Sequence, residues 1–315
     1  MAQACRLPYV CSMLPRFYYP DTPRIPLPDG HRFPASKYEM LRAHLRSEKI
    51  LCEDQLQPSP LATSDELEAA HAPHYVTAIA DGTIDPAIMR AIGLPWSEVL
   101  ARRSRATVGG TLAAARAAIA NTSGVSGQLA GGTHHAHYES GAGFCTFNDF
   151  AVAVSVLIRE GEIARAAIID VDVHQGDGNA TLLGDNPDVF VASLHGARNY
   201  PFDKATSDLD IALDDGTEDR AYAHALIDAL DAIGAFRPEL LLLNAGVDPL
   251  AEDRLGRLAL TFDGLYERDR MVCHFAHRRG IPLVIAIGGG YARPIDLTVT
   301  AYANTFRAAR DVYGF

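Results

Sequence analysis

The stretch Ala166-Ala167-Ile168-Ile169-Asp170-Val171-Asp172-Val173-His174 constrains this chain more than any other. Through Ile169 it is apolar at every position, the pattern of a strand covered on both faces, as in a parallel sheet. It then closes in carboxylates and an imidazole, groups that are costly to bury unpaired. Similar short runs at 5–11, 127–131, 188–194, 239–246 and 282–288 are also predicted strands. Stretches of helical pattern separate them, at 97–120, 147–160, 217–234, 261–279 and 293–312, with Thr217 and Thr261 as predicted N-caps. The alternation predicts an α/β fold with right-handed crossovers. No linker or internal repeat interrupts it, so residues 1–315 are expected to form a single domain. The Pro-rich segment from Tyr18 to Pro34 reads as a structured loop over one face.

In such sheets, ligands bind beyond the carboxyl ends of the strands. Asp172 and His174 stand two apart at one such end and so point the same way. Asp248, after the run Leu240–Leu243, supplies a third ligand. Two carboxylates and one imidazole leave a coordination position open, as catalytic zinc requires. The same set accepts Fe(II) or Co(II). Helix capping by Asp170, Asp172 or Asp177 accounts for one acid but not for the set. A calcium loop needs Gly and Glu where the chain has Gln175 and Thr181.

His134 and His135 follow Gly131-Gly132-Thr133 and, as neighbours, cannot both be unstrained ligands of one ion. Acid/base work on a water beside the ion suits them better, with Asp170 and Asp177 orienting the two rings. Tyr291, after Gly288-Gly289-Gly290, can donate to a developing oxyanion, although a glycine turn before a core aromatic has the same pattern. His71, His74, His195, His274 and His277 read mostly as packing or helix-face residues.

The net charge of −11, with no basic stretch, argues against nucleic acid as a partner. It is compatible with a lysine-rich or polyamine substrate, although ordinary acidic solubility is the simpler explanation. The apolar runs are of strand length, so no membrane span is expected. Five dispersed cysteines without a Cys-x-x-Cys, and an N-terminus without a signal pattern, predict reduced thiols in a cytoplasmic protein. Phosphate-binding glycine motifs and Gly-x-Ser-x-Gly are absent.

Gly131–Ala136, Gly143-Phe144-Cys145-Thr146-Phe147-Asn148-Asp149, Asp170–Gly178, Asn244–Asp248 and Gly288–Tyr291 together resemble the signature blocks of the histone deacetylase superfamily, in the family's order. Three more stretches, Pro26–Pro34, Ile92–Ser97 and Glu252–Leu258, resemble its class IV branch. The resemblance implies an arginase/deacetylase-like three-layer α/β/α fold around an eight-stranded parallel sheet. The implied chemistry is zinc-dependent removal of acyl groups from lysine amines, with one Zn2+ per chain.

Residue by residue, the resemblance implies Asp172, His174 and Asp248 as zinc ligands and His135 as general base, then acid. His134 would be its electrostatic partner, Asp170 and Asp177 the supports of the two histidines, and Tyr291 the oxyanion donor. Gly143, Phe144 and Tyr200 would line an acyl tunnel, with Arg32 at its foot. A structural K+ would take Asp170, Asp172, His174, Ser193 and Leu194. The rim acid that grips the substrate backbone in many members is missing from Ile92–Ser97. Class IV is associated with long-chain acyl-lysine, so acyl groups from acetyl to fatty acyl are expected on protein lysines. Small acylated amines such as acetylpolyamines are the alternative. A ureohydrolase of the same fold lacks the extra carboxylates near Asp248, and an inactive acyl-lysine-binding scaffold leaves the catalytic set without a purpose.

Overall fold

A computed structural model describes residues 14–315. Its strands are β1 (Phe17–Tyr19), β2 (Leu56–Pro58), β3 (Val125–Gln128), β4 (Ala166–Asp170), β5 (Val189–Gly196), β6 (Leu209–Leu213), β7 (Leu240–Asn244) and β8 (Leu283–Ala286). The helices are α1 (Lys37–Ser47), α2 (Ser64–Leu67), α3 (Pro73–Asp81), α4 (Pro86–Ile92), α5 (Glu98–Ala120), α6 (Asp149–Arg159), α7 (Asp177–Leu183), α8 (Asp219–Phe236), α9 (Phe262–Arg279) and α10 (Ile295–Tyr313). All eight strands are parallel, in the order β2-β1-β3-β8-β7-β4-β5-β6.

Helices cover both faces of this sheet, because successive strand residues alternate sides. Ile169, Leu243 and Ile285 pack with Leu41 of α1, Leu226 of α8, Val272 of α9 and Phe306 of α10. Ile168, Leu242 and Val284 pack on the other side with Val76 of α3, Leu112 of α5 and Val154 of α6. These are the three α/β/α layers that the family resemblance implies.

After β3 the chain leaves room for two strands and continues at β4, and later returns to fill the gap with β7 and β8. The carboxyl ends of β3, β8, β7 and β4 are therefore neighbours, although their segments lie far apart in the chain. Arg268, buried on α9, ties two of these ends together by donating to the carbonyls of Val171 and Gly246.

Five predicted strands are present, each with shifted ends. The strand predicted at 5–11 lies outside the described residues. β1, β2 and β6 were not foreseen. β1 and β2 have three residues each, and β6 is a half-exposed edge strand that lacks a continuous apolar run. Tyr18 and Tyr19 thus belong to the sheet and not to a loop. Thr261 caps α9 by accepting from the Gly264 N–H. Thr217 caps nothing: α8 starts at Asp219, and the Thr217 hydroxyl donates to the Asp214 carbonyl.

Candidate active site

Asp172, His174 and Asp248 converge where β4 and β7 end, with one donor atom from each within 4.8 Å of the others. His174 Nδ1 lies 3.0 Å from Asp172 Oδ1 and 3.1 Å from Asp248 Oδ2. Backbone N–H groups hold both acids: Gly289 donates to Asp172 Oδ2 at 2.6 Å, and Val173 to Asp248 Oδ1 at 2.9 Å. Asp248 Oδ2 is buried and accepts no hydrogen bond. Burial and the neighbouring Asp172 push Asp248 up to about 7, the behaviour of two carboxylates crowded into one dry site. Although burial opposes it, the hydrogen bond to Asp172 and the adjacent Asp248 carboxylate raise His174 to about 10. A cation at this point would relieve the crowding and give the orphaned oxygen a partner, so the set fits a metal ion. The approach of Gly289 is equally specific, because a Cβ there would collide with Asp248 Oδ2.

His134 and His135 lie beyond the end of β3, both buried. His134 Nδ1 bonds Asp170 Oδ2 at 2.7 Å, and His135 Nδ1 bonds Asp177 Oδ1 at 2.6 Å. If Nδ1 carries the proton in each bond, the His135 Nε2 is left as an acceptor. The His135 and His174 ring centroids are 6.0 Å apart.

These residues open into a cavity of ≈ 950 Å³, which Gly143, Phe144, Tyr200 and Tyr291 also line. The Tyr200 ring stands edge-on to His135 with centroids 5.0 Å apart, and Phe144 lies 6.0 Å from Tyr291. Phe144 has φ 68°, a strained value for a bulky residue. Its N–H donates to Ile92 O at 2.8 Å and so fixes it to the end of α4. At Gly143, φ is +53° and a Cβ would press on the His135 ring. Ile92 and Gly93 thus support the cavity wall at Phe144.

Residues 31–306 match the family profile described as Histone deacetylase domain. The chain belongs to the histone deacetylase family. It is similar to an uncharacterized protein of Picosynechococcus sp., 41% identical over 300 residues that cover 95% of this chain and 99% of that protein. It is also similar to Histone deacetylase 2 of Arabidopsis thaliana, 32% identical over 273 residues, 84% of this chain and 70% of that protein. A crystal structure of an HDAC homolog complexed with SAHA superposes with a TM-score of 0.80 at 26% identity, over 95% of this chain and 84% of that one. The HDAC homolog from Aquifex aeolicus gives 0.79 at 25% over the same shares.

One site residue implied by the deacetylase resemblance is misplaced. Arg32 does not reach the foot of the cavity. It sits on an irregular loop, exposed, while still lining the opening. The buried cation is Lys37, in the first turn of α1 and 1% exposed. An ammonium on a slim stem needs few partners, whereas a buried guanidinium must satisfy five N–H groups. Lys37 Nζ donates to Gly290 O at 3.3 Å and to the Tyr302 hydroxyl at 3.0 Å, and lies 4.9 Å from the Tyr291 ring centre. Tyr302 donates in turn to Gly288 O at 2.8 Å.

Asp253 completes this support. Its Oδ2 accepts from the Tyr291 N–H at 2.6 Å, and its Oδ1 from the N–H groups of Leu255 and Gly256. Sequence reasoning missed Lys37, Tyr302 and Asp253 alike. The spacing of Lys37 with Leu41 and Leu45, at i, i+4 and i+8, was the one available signal that Lys37 faces inward.

Proposed function

We propose that this deacetylase-family chain is a zinc-dependent hydrolase that removes acyl groups from the ε-amines of protein lysines. The observation that carries this reading is the convergence of Asp172, His174 and Asp248 at one point, beside a cavity that His135 and Tyr291 also line. A zinc ion held by the three ligands would supply Lewis-acid polarisation of the amide carbonyl and make a neighbouring water more acidic.

The chain's own groups supply the rest. His135 Nε2 accepts a proton from the attacking water, while Asp177 holds the ring through Nδ1. As the carbonyl carbon becomes tetrahedral, the Tyr291 hydroxyl donates to the oxygen on which charge builds. His134, braced by Asp170, favours the same negative charge electrostatically. The C–N bond then breaks, His135 returns its proton to the leaving amine, and a carboxylate and a free lysine remain.

For the K+ ion we propose Asp170, Asp172 and His174 with Ser193 and Leu194. This is supported by the β4–β5 register, which sets Asp170 beside Ser193. We also propose a cytoplasmic setting. Cys52, Cys145 and Cys273 are free thiols, and among the described residues no helix is long and apolar enough to cross a membrane.

The test is hydrolysis of one lysine peptide carrying acetyl, octanoyl or myristoyl, with zinc and then with a chelator. Chelator-sensitive cleavage is expected, and the preferred chain gives the acyl length. Turnover of free acylated diamines with none of peptides would replace protein lysine by small amines as the substrate.

A further inference from the structure

The charge around the mouth of the cavity is opposite to that of the chain. The protein carries −11 overall. Yet Arg32, Arg198, Arg254 and Arg257 all line the cavity, and among the described residues Asp172, a proposed zinc ligand, is the one carboxylate lining it. The arginines come from three separate loops: before α1, after β5 and after β7. Arg198 and Arg257 share a single acid, Asp215, at 2.8 and 3.0 Å. Among the described residues, Arg32 and Arg254 make no ion pair. Asp253 points inward onto backbone N–H groups, and Asp29, Asp203 and Glu252 do not line the cavity.

We infer that this arginine rim selects acyl-lysine substrates whose flanking residues are acidic. The inference rests on the proposed deacylation and adds its substrate class. A ring of cations at the entrance of a concave site attracts anionic chains and repels a polycationic amine, so it also counts against acetylpolyamines. A peptide fits better than a lipid surface. The arginines surround a recess continuous with His135, and among the described residues Phe202, 84% exposed, is the one large apolar side chain lining it that stands well out.

The experiment compares three peptides that carry the same acyl-lysine flanked by glutamates, serines or lysines. Cleavage and fluorescence-anisotropy binding are both measured. The acidic peptide should exceed the serine peptide roughly 3- to 10-fold in kcat/KM and affinity at low salt, as expected for two or three exposed ion pairs. The advantage should shrink toward equality at about 0.5 M salt, where screening is short-ranged. Arg32→Glu combined with Arg254→Glu should bring the ratio of acidic to serine peptide near or below one. Equal binding of the three peptides, or a preference unchanged by the double substitution, would overturn the inference. So would adsorption to anionic vesicles without discrimination among the peptides. Failure of the deacylation reading appears separately, as absence of chelator-sensitive cleavage of the serine peptide, while the order of binding still reads the rim.

Discussion

His134 and His135 lie ring to ring, with centroids 4.0 Å apart, yet each is anchored to a different acid. Asp170 behind His134 is the last residue of β4, and Asp177 behind His135 opens α7. The two rings are thereby pushed in opposite directions. Burial disfavours the charge on His134, but Asp170 and Asp172 outweigh it and raise the ring to about 9. Burial and the charge on His134 push His135 down to about 4. Neighbouring groups with separated pKa values mark a division of labour, here a standing charge and a free base.

His135→Ala should therefore lower kcat by about 10²- to 10⁴-fold with little change in KM, the range for loss of a general base. Asp177→Asn leaves the base in place but disturbs its tautomer and aim, and a smaller loss of roughly 10- to 100-fold is expected. Steady-state kinetics on an acyl-lysine peptide decide the matter. Full activity in His135→Ala would remove this residue from the mechanism.

The crowding of Asp172 and Asp248 predicts a linked effect on stability. Zinc should bind at one equivalent per chain, and His174→Ala should bind substoichiometrically by elemental analysis. At a hundredfold excess of free zinc over its Kd, the folded state gains about 2.7 kcal/mol, visible as a rise in the thermal midpoint. A wild-type midpoint indifferent to zinc and to chelator would contradict the assignment of these ligands.

How much of this was legible in the sequence follows from the range of the interactions. β4 and β7 could be read because all five residues of each are buried, which leaves an unbroken apolar run before the first functional acid. The ligand set was legible because strand ends in a parallel sheet converge. β6 was not, since an edge strand with every second residue exposed lacks that run. Lys37 resisted for another reason. Its partners Gly290 and Tyr302 are 253 and 265 residues away, and a lysine in the helix Lys37–Ser47 looks like any surface lysine until α10 is folded against it.

That brace should matter for Tyr291. Tyr302→Phe deletes the hydroxyl that accepts from Lys37 and donates to Gly288, which leaves a buried ammonium short of a partner. Loss of such a partner costs about 1–3 kcal/mol in urea unfolding. Because the same turn aims Tyr291, kcat should fall while KM changes less. Lys37→Met offers the complementary case. A buried charge replaced by an apolar chain of similar length can be neutral for stability, yet the turn loses its tie to α1, so activity should fall without a matching loss of stability. Two variants with unaltered kcat would show that the turn holds its shape unaided.

His71 gives the chain a pH-dependent component of stability outside the metal site. It is wholly buried between Nδ1···His137 O at 2.9 Å and the Asn148 N–H, which donates to Nε2 at 2.8 Å. Only a neutral ring protonated on Nδ1 satisfies both contacts. Burial pushes His71 down to about 4, against about 6.5 in an unfolded chain. Between these values the unfolded state binds the extra proton. The contribution is therefore complete above pH 6.5 and is lost as pH falls toward 4, by about 3 kcal/mol over the whole interval. Asn148 caps α6 and donates to Asn179 and Ala136 O, so protonation strains the segment that carries His134 and His135. In urea unfolding, the stability advantage of wild type over His71→Gln should narrow by about 2 kcal/mol between pH 7 and about pH 4.5. An advantage of constant size across that range would mean that His71 keeps its ordinary affinity for protons in the folded protein.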